Sequence, residues 1–198
     1  MDSRSAPSPR AKRCLRVAAA ALGVAWLPHA IAAEAARPGW VPRSLFAQAG
    51  VTDHAHQAVV GATWPWSWRR EFAGGTLTGY YEASFGRWNS ELDDHTHASA
   101  WVTQLGWTPV LRWQSAPTPQ HWFAEAGIGV NALLPIYRNG DRRFSTTLNF
   151  GDHVSAGLRF GDEGRHELQL RLEHFSNAGI KKPNPGEGFV QLRYAYAY

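Results

Sequence analysis

From residue 188 to the end of the chain, apolar and polar side chains alternate. Val190, Leu192, Tyr194, Tyr196 and Tyr198 share one parity, and Gln191, Arg193, Ala195 and Ala197 share the other. Successive side chains of a β-strand point to opposite faces, so this period predicts a strand with one apolar, aromatic face and one polar or small face. Leu168, Leu170 and Leu172 against Glu167, Gln169, Arg171 and Glu173 repeat the division. So do Val154, Ala156, Leu158 and Phe160 against His153, Ser155, Gly157 and Arg159. A water-soluble barrel would bury its apolar parity. Here the opposite parity mixes charges of both signs with small residues, which suits a narrow hydrogen-bonded interior in a sheet whose outside meets lipid.

Further strands are predicted near 44–52, 58–68, 76–88, 97–108, 121–133 and 143–150, which with 153–160, 166–176 and 188–198 makes nine segments. The "NFGDHV" break between two of them is ambiguous, and 143–160 reads equally as one long strand with a bulge. No stretch of helical periodicity is long enough for a bundle, and "SAPTPQ" (115–120) reads as a loop. Bacterial single-chain outer-membrane barrels have an even strand number, and only closure satisfies every backbone group in lipid. The predicted fold is therefore all-β, an eight-stranded antiparallel transmembrane barrel. Trp64, Trp66, Trp68, Trp88, Trp101, Trp107, Trp113 and Trp122 are expected in its interfacial aromatic girdles. The competing expectation for these rings is the core of a soluble sandwich.

Composition changes the picture at the amino terminus. Arg4, Arg10, Lys12, Arg13 and Arg16 precede an apolar run from Val17 to Leu27 and small residues at Ala30, Ala32 and Ala33, the layout of an export signal. That run is too short for a membrane helix, which takes about 20 residues. Residues 1–33 are thus expected to be a cleaved signal and 34–198 a single barrel domain. With the signal go five basic residues and one acidic one, so the formal charge of +4 falls to zero and no nucleic-acid partner is expected. Cys14, the only cysteine, also leaves, which excludes disulfides, a thiol nucleophile and a zinc-thiolate site.

With both termini on the periplasmic side, the connection between the last two strands faces outward from the cell. That connection lies in "EHFSNAGIKKPNPGEGF" (173–189), the densest group of reactive side chains in the chain. His174 and Ser176 continue the parity of Leu168, Leu170 and Leu172, so both are expected to project toward lipid. A serine hydroxyl needs a base within hydrogen-bonding reach, and that base needs an acid on its other nitrogen. Glu187, past the "KKPNPG" turn, is the expected acid; Glu173 is the rival, although alternation points it inward. "NAG" and "PNPG" offer turn amides and two carboxamides, the donors an oxyanion hole requires. Taken alone these motifs are ordinary turn-formers. Polar groups on a lipid-facing parity cost up to roughly 2–4 kcal/mol when charged and at mid-depth, so they call for a reason, and work on a lipid is one.

The run "HFSNAGIKKPNPGE" resembles the signature of the lipid A 3-O-deacylases, the PagL family of outer-membrane enzymes. The specific match covers residues 170–198, and the remainder is similar in length, export signal and barrel pattern. The resemblance implies an eight-stranded barrel that hydrolyses the ester-linked acyl chain at position 3 of lipid A with a Ser-His-Glu triad on its outer surface. It implies Ser176 as nucleophile, His174 as general base and then acid, and Glu187 as the orienting carboxylate. Asn184, with the amides near Ala178 and Gly179, is implied to form the oxyanion hole. One departure is visible: some members carry the acid one residue further from the serine, where this chain has Gly188.

Outer-membrane localisation, a lipopolysaccharide substrate and an active site at the outer leaflet follow as expectations. Lys181, Lys182, Arg138, Arg142 and Arg143 are candidates for contact with lipid A phosphates. No cofactor is implied. The pairs His54/His56 and His95/His97, the latter beside Asp94, lack a third ligand of clear spacing, so no metal site is expected. Two other functions compete, a lipid acyltransferase and a non-catalytic barrel serving adhesion or envelope stability, and the outer face could also seat a second copy in a homodimer.

Overall fold

A computed structural model describes residues 39–93, 98–116, 121–139 and 142–198. The signal assigned to residues 1–33, the His95/His97 pair with Asp94, and most of the 115–120 loop lie outside the described residues. Eight long strands form the wall: β1 (Ser44–Val51), β2 (Ala55–Pro65), β4 (Gly75–Asp93), β5 (Ala98–Ser115), β6 (His121–Leu134), β9 (Leu148–Phe160), β10 (His166–Ser176) and β11 (Glu187–Ala197). Each pairs antiparallel with the next, and β1 pairs with β11, so the sheet closes. The short β3 (Arg70–Phe72) extends the β4 edge, and β7 (Arg138–Asn139) pairs with β8 (Arg142–Arg143) in a separate hairpin. Closure leaves no edge for solvent or lipid to meet.

While 144–147 lie outside any strand, the end of the 143–150 segment and the 153–160 segment form the single strand β9. Its register runs unbroken against both β6 and β10, without a bulge. Gly151, which made "NFGDHV" look like a turn, is a packing residue: a Cβ there would meet Asn131 Nδ2 at 2.6 Å and Phe175 Cε1 at 3.0 Å.

Alternation sets the two faces. On β10, Leu168, Leu170 and Leu172 are exposed while Gln169, Arg171 and Glu173 are buried. With Val60, Phe85, Leu105, Leu111, Ile128, Val154 and Leu192 they form an outward apolar belt, the surface that hydrocarbon covers. Aromatic rings gather at the end where β1 begins and β11 finishes. There Trp107 lies 5.8 Å from Trp64 and 5.6 Å from Tyr81 between ring centroids, and Trp66 lies 5.4 Å from Tyr81. Trp101 sits at the opposite rim, with the Arg87 guanidinium over its ring.

Trp88 corrects the girdle expectation. It is fully buried inside the barrel, donates from Nε1 to Gln104 Oε1, and packs edge-on against Tyr137 and Phe175 and, tilted, against Phe189. With Leu133, Val102, Ala55 and Phe144 these rings plug the loop-bearing end of the lumen. Below the plug the interior is ionic. Arg171 forms a bidentate pair with Glu82 at 3.1 and 3.2 Å, Arg193 joins the same carboxylate, and Arg112 binds Glu125 and Glu167. The lumen is a packed core rather than a channel.

Candidate active site

The strand directions bring the connections 52–54, 135–139, 142–147 and 177–186 to one end, opposite the start of β1 and the end of β11, so the segment between β10 and β11 lies at the outward-facing rim. His174, on the last turn of alternation in β10, is exposed on the lipid side, and Ser176, two residues on, is half-buried at the rim. Both side chains therefore emerge where the alternation put them. The Ser176 hydroxyl accepts the Ala178 amide at 3.3 Å rather than pairing with His174. Catalytic hydrogen bonds in free enzymes are often long and tighten in the complex, and same-face neighbours two apart on a strand lie about 7 Å apart at Cα, within reach of a rotamer change.

The 177–186 segment is held rather than loose. Asn177 is buried; its Nδ2 donates to Ser145 Oγ at 3.0 Å and to the Lys181 carbonyl at 2.8 Å, which clasps this loop to the 135–147 connection. Asn184 accepts the Asn177 amide on Oδ1 at 3.0 Å, a bond to the residue that follows Ser176 in the chain. Ala178 has φ +52 and turns its N–H back onto the serine oxygen. The Gly179 amide is committed to Asn177 Oδ1 at 3.0 Å. Of the three oxyanion candidates, the Ala178 amide meets the serine oxygen, Asn184 holds the backbone of the next residue, and the Gly179 amide is engaged by Asn177.

Gly186 completes the imidazole's seat. It has φ +71, and a Cβ built there would fall 2.5 Å from His174 Cε1 and 2.9 Å from Nε2, against 3.6 Å from Nδ1. The backbone of the loop therefore lies on the Cε1–Nε2 edge of the ring, a position that only glycine fills.

Glu187 does not stand where the triad requires it. The β10/β11 register pairs it with Phe175, one residue from His174, and so it points into the barrel on the opposite face from the imidazole. Only 2% exposed, it accepts from Tyr137 Oη at 2.6 Å, Thr52 Oγ1 at 2.9 Å and Asn139 Nδ2 at 3.4 Å, with Arg142 3.8 Å away. Burial first, and the hydrogen bond to Glu187 second, hold the Tyr137 phenol well above the ordinary tyrosine range, so it remains a donor to that carboxylate. Glu173, the rival acid, is also inside, accepting from Gln191 Nε2 at 2.7 Å. The candidate phosphate contacts Arg138, Arg142, Arg143, Lys181 and Lys182 are all exposed around the same rim.

Beside His174 an open groove of about 890 Å³ crosses the outer wall, bedded on Leu111, Ile128, Val154, Leu172 and Val190. A cavity of about 1010 Å³ at the other end of the barrel, lined by Trp66, Arg69, His121 and Arg159, contains neither His174 nor Ser176.

Comparison with known proteins decides the family. The profile described as Lipid A 3-O-deacylase (PagL) matches residues 56–197. This chain belongs to the PagL family. It is 33% identical over 178 residues to the lipid A deacylase PagL of Bordetella bronchiseptica, covering 89% of this chain and 94% of that one. With the lipid A deacylase PagL of Pseudomonas aeruginosa it shares 35% identity over 137 residues, 68% of this chain and 74% of the relative. The crystal structure of the outer membrane enzyme PagL superposes with a TM-score of 0.67 at 32% identity, covering 78% of this chain and 99% of that one. As a PagL-family barrel, the protein resides in the outer membrane.

Proposed function

We propose that this protein is an outer-membrane esterase that hydrolyses the 3-O-linked acyl chain of lipid A, with Ser176 as nucleophile and His174 as general base and then acid. The observation that carries this reading is the emergence of both side chains from the lipid side of a closed barrel, at its outward rim and beside an apolar groove. An acyl chain lying on Leu172 and Val190 stays in the hydrocarbon layer while its ester reaches Ser176. The Ser176 hydroxyl passes its proton to His174 as its oxygen attacks the carbonyl carbon; the Asn184 side-chain amide and the Ala178 N–H receive the oxyanion. Collapse returns the proton to the departing sugar oxygen, and a water activated by His174 then releases the fatty acid from Ser176. The relatives named as lipid A deacylases support the substrate, and the cations around the rim suit its phosphates. Glu187, bonded to Tyr137 and Thr52, supports the rim from within.

Mass spectrometry of lipid A from cells with and without the protein tests this reading. Loss of one hydroxyacyl mass is expected, and Ser176→Ala and His174→Ala should each abolish it while heat-modifiable migration shows a folded barrel. A gain of acyl mass elsewhere would indicate transfer, and unchanged lipid A a non-catalytic barrel.

A further inference from the structure

The imidazole of a serine esterase needs a carboxylate on the nitrogen that does not face the serine, to fix its tautomer and stabilise the imidazolium. Both glutamates near His174 in sequence point into the lumen. On the outer face, the residue paired with His174 across β11 is Gly188, which has no side chain to offer. The residue paired with His174 across β9 is Asp152. Building on the Ser176–His174 reading, we propose that Asp152 is the positioning acid of this enzyme, so that its triad draws on two neighbouring strands rather than on the turn before β11.

Three observations support this assignment. Asp152 is exposed on the lipid side, in line with Val154 and Leu158, where a carboxylate costs free energy and needs a compensating role. It is the only carboxylate among the outward positions of β9, β10 and β11, all of which are described. Ile128, Asp152, His174 and Gly188 follow one another along a single row across four strands, and Asp152, His174 and Gly188 line the apolar groove together. Side chains directly opposite on antiparallel strands have Cβ atoms about 5 Å apart, which lets an aspartate oxygen reach a ring nitrogen by rotamer choice alone. Gly186 lies closest to the Cε1–Nε2 edge of the ring, and Nδ1 is the more distant of the two nitrogens from it. Asp152 and His174 are not hydrogen-bonded as they stand, and the bond forms by rotamer change when the ester is seated. The other titratable residues along the groove, His153 and Glu173, are buried on inward positions of β9 and β10, and β11 contributes Gly188 and Val190 to the outward face.

The test uses the full chain in detergent micelles with purified lipid A, read by kcat, KM and the pH dependence of kcat/KM. Asp152→Asn should lower kcat by about 100-fold or more with KM little changed, since the amide holds the imidazole in the wrong tautomer. The acidic limb of the profile should move to lower pH, because a neighbouring carboxylate favours the charged imidazole. Asp152→Glu should recover kcat to within about tenfold of wild type. Gly188→Glu placed on the Asp152→Asn background should restore part of the loss from the other side of the ring, as a Cβ at Gly188 meets nothing within 4 Å. Glu187→Gln should leave the acidic limb in place. The assignment is overturned if Asp152→Asn stays within about threefold of wild type, or if Glu187→Gln reproduces the kcat loss and the limb shift. Activity surviving Ser176→Ala or His174→Ala would instead overturn the underlying esterase reading.

Discussion

Gly186 ties the backbone of the loop to the reacting ring, and both of its properties are needed there. An alanine would have to hold φ near +71 and place its Cβ within 3 Å of two atoms of His174. Backbone strain of this kind costs on the order of 1–3 kcal/mol, but the ring is free to swing outward and relieve the contact. Gly186→Ala is therefore expected to lower kcat at least tenfold through a displaced imidazole while thermal unfolding shifts by only a few degrees, a combination that paired kinetics and melting measurements detect. The same fine placement separates what alternation reveals from what it was not asked. His174 and Ser176 are legible because they extend the leucine parity of β10. Glu187 is equally legible as inward, since it shares the parity of Gln191 and Arg193 along β11, and nearness across the turn does not change that facing. Asp152 shares the parity of Val154 and was readable as outward, although only the β9/β10 register shows that it faces His174.

Where the two faces of a strand differ in chemistry, the pattern shows both the strand and its facing; where aromatic residues occupy both faces, as in β4, it shows the strand but not which rings turn inward. On β10, leucines oppose charges, so face and boundary follow from the pattern. Leu170→Arg, near the middle of that strand on the lipid side, is expected to cost roughly 2–4 kcal/mol in vesicle-based denaturant unfolding, against a much smaller effect nearer the rim. On β4, Tyr80 and Trp88 point in while Tyr81 and Phe85 point out, and tryptophan content alone could not tell a girdle ring from a plug ring. Trp88 touches Tyr137, Phe175 and Phe189, so it supports the connection that in turn holds Asn177. Trp88→Ala should destabilise the barrel by about 3–5 kcal/mol and also loosen the rim, which limited proteolysis of the 135–147 and 177–186 segments would show as faster cleavage.

The closed sheet separates stability from chemistry: what holds the walls together is inside, and what reacts is outside. Glu82 on β4 reaches Arg171 and Arg193 on β10 and β11, and β10 stands four strands away around the ring, so this carboxylate braces opposite walls. Arg193 also lies over the Phe46 ring at 3.5 Å, which brings β1 into the same brace. Neutralising this acid removes the carboxylate that both buried guanidinium groups pair with, and breaking a buried pair in this way costs roughly 3–5 kcal/mol, several times an exposed pair. Glu82→Gln is accordingly expected to unfold at a clearly lower urea concentration in vesicles and to lose its heat-modified band shift at a lower temperature. Because neither Ser176 nor His174 touches this brace, the fraction that remains folded should process lipid A at the wild-type rate per folded molecule. A matching fall in that specific rate would mean that the interior and the rim are mechanically coupled through the plug, with Glu173 and Phe175 on β10 as the connection between them.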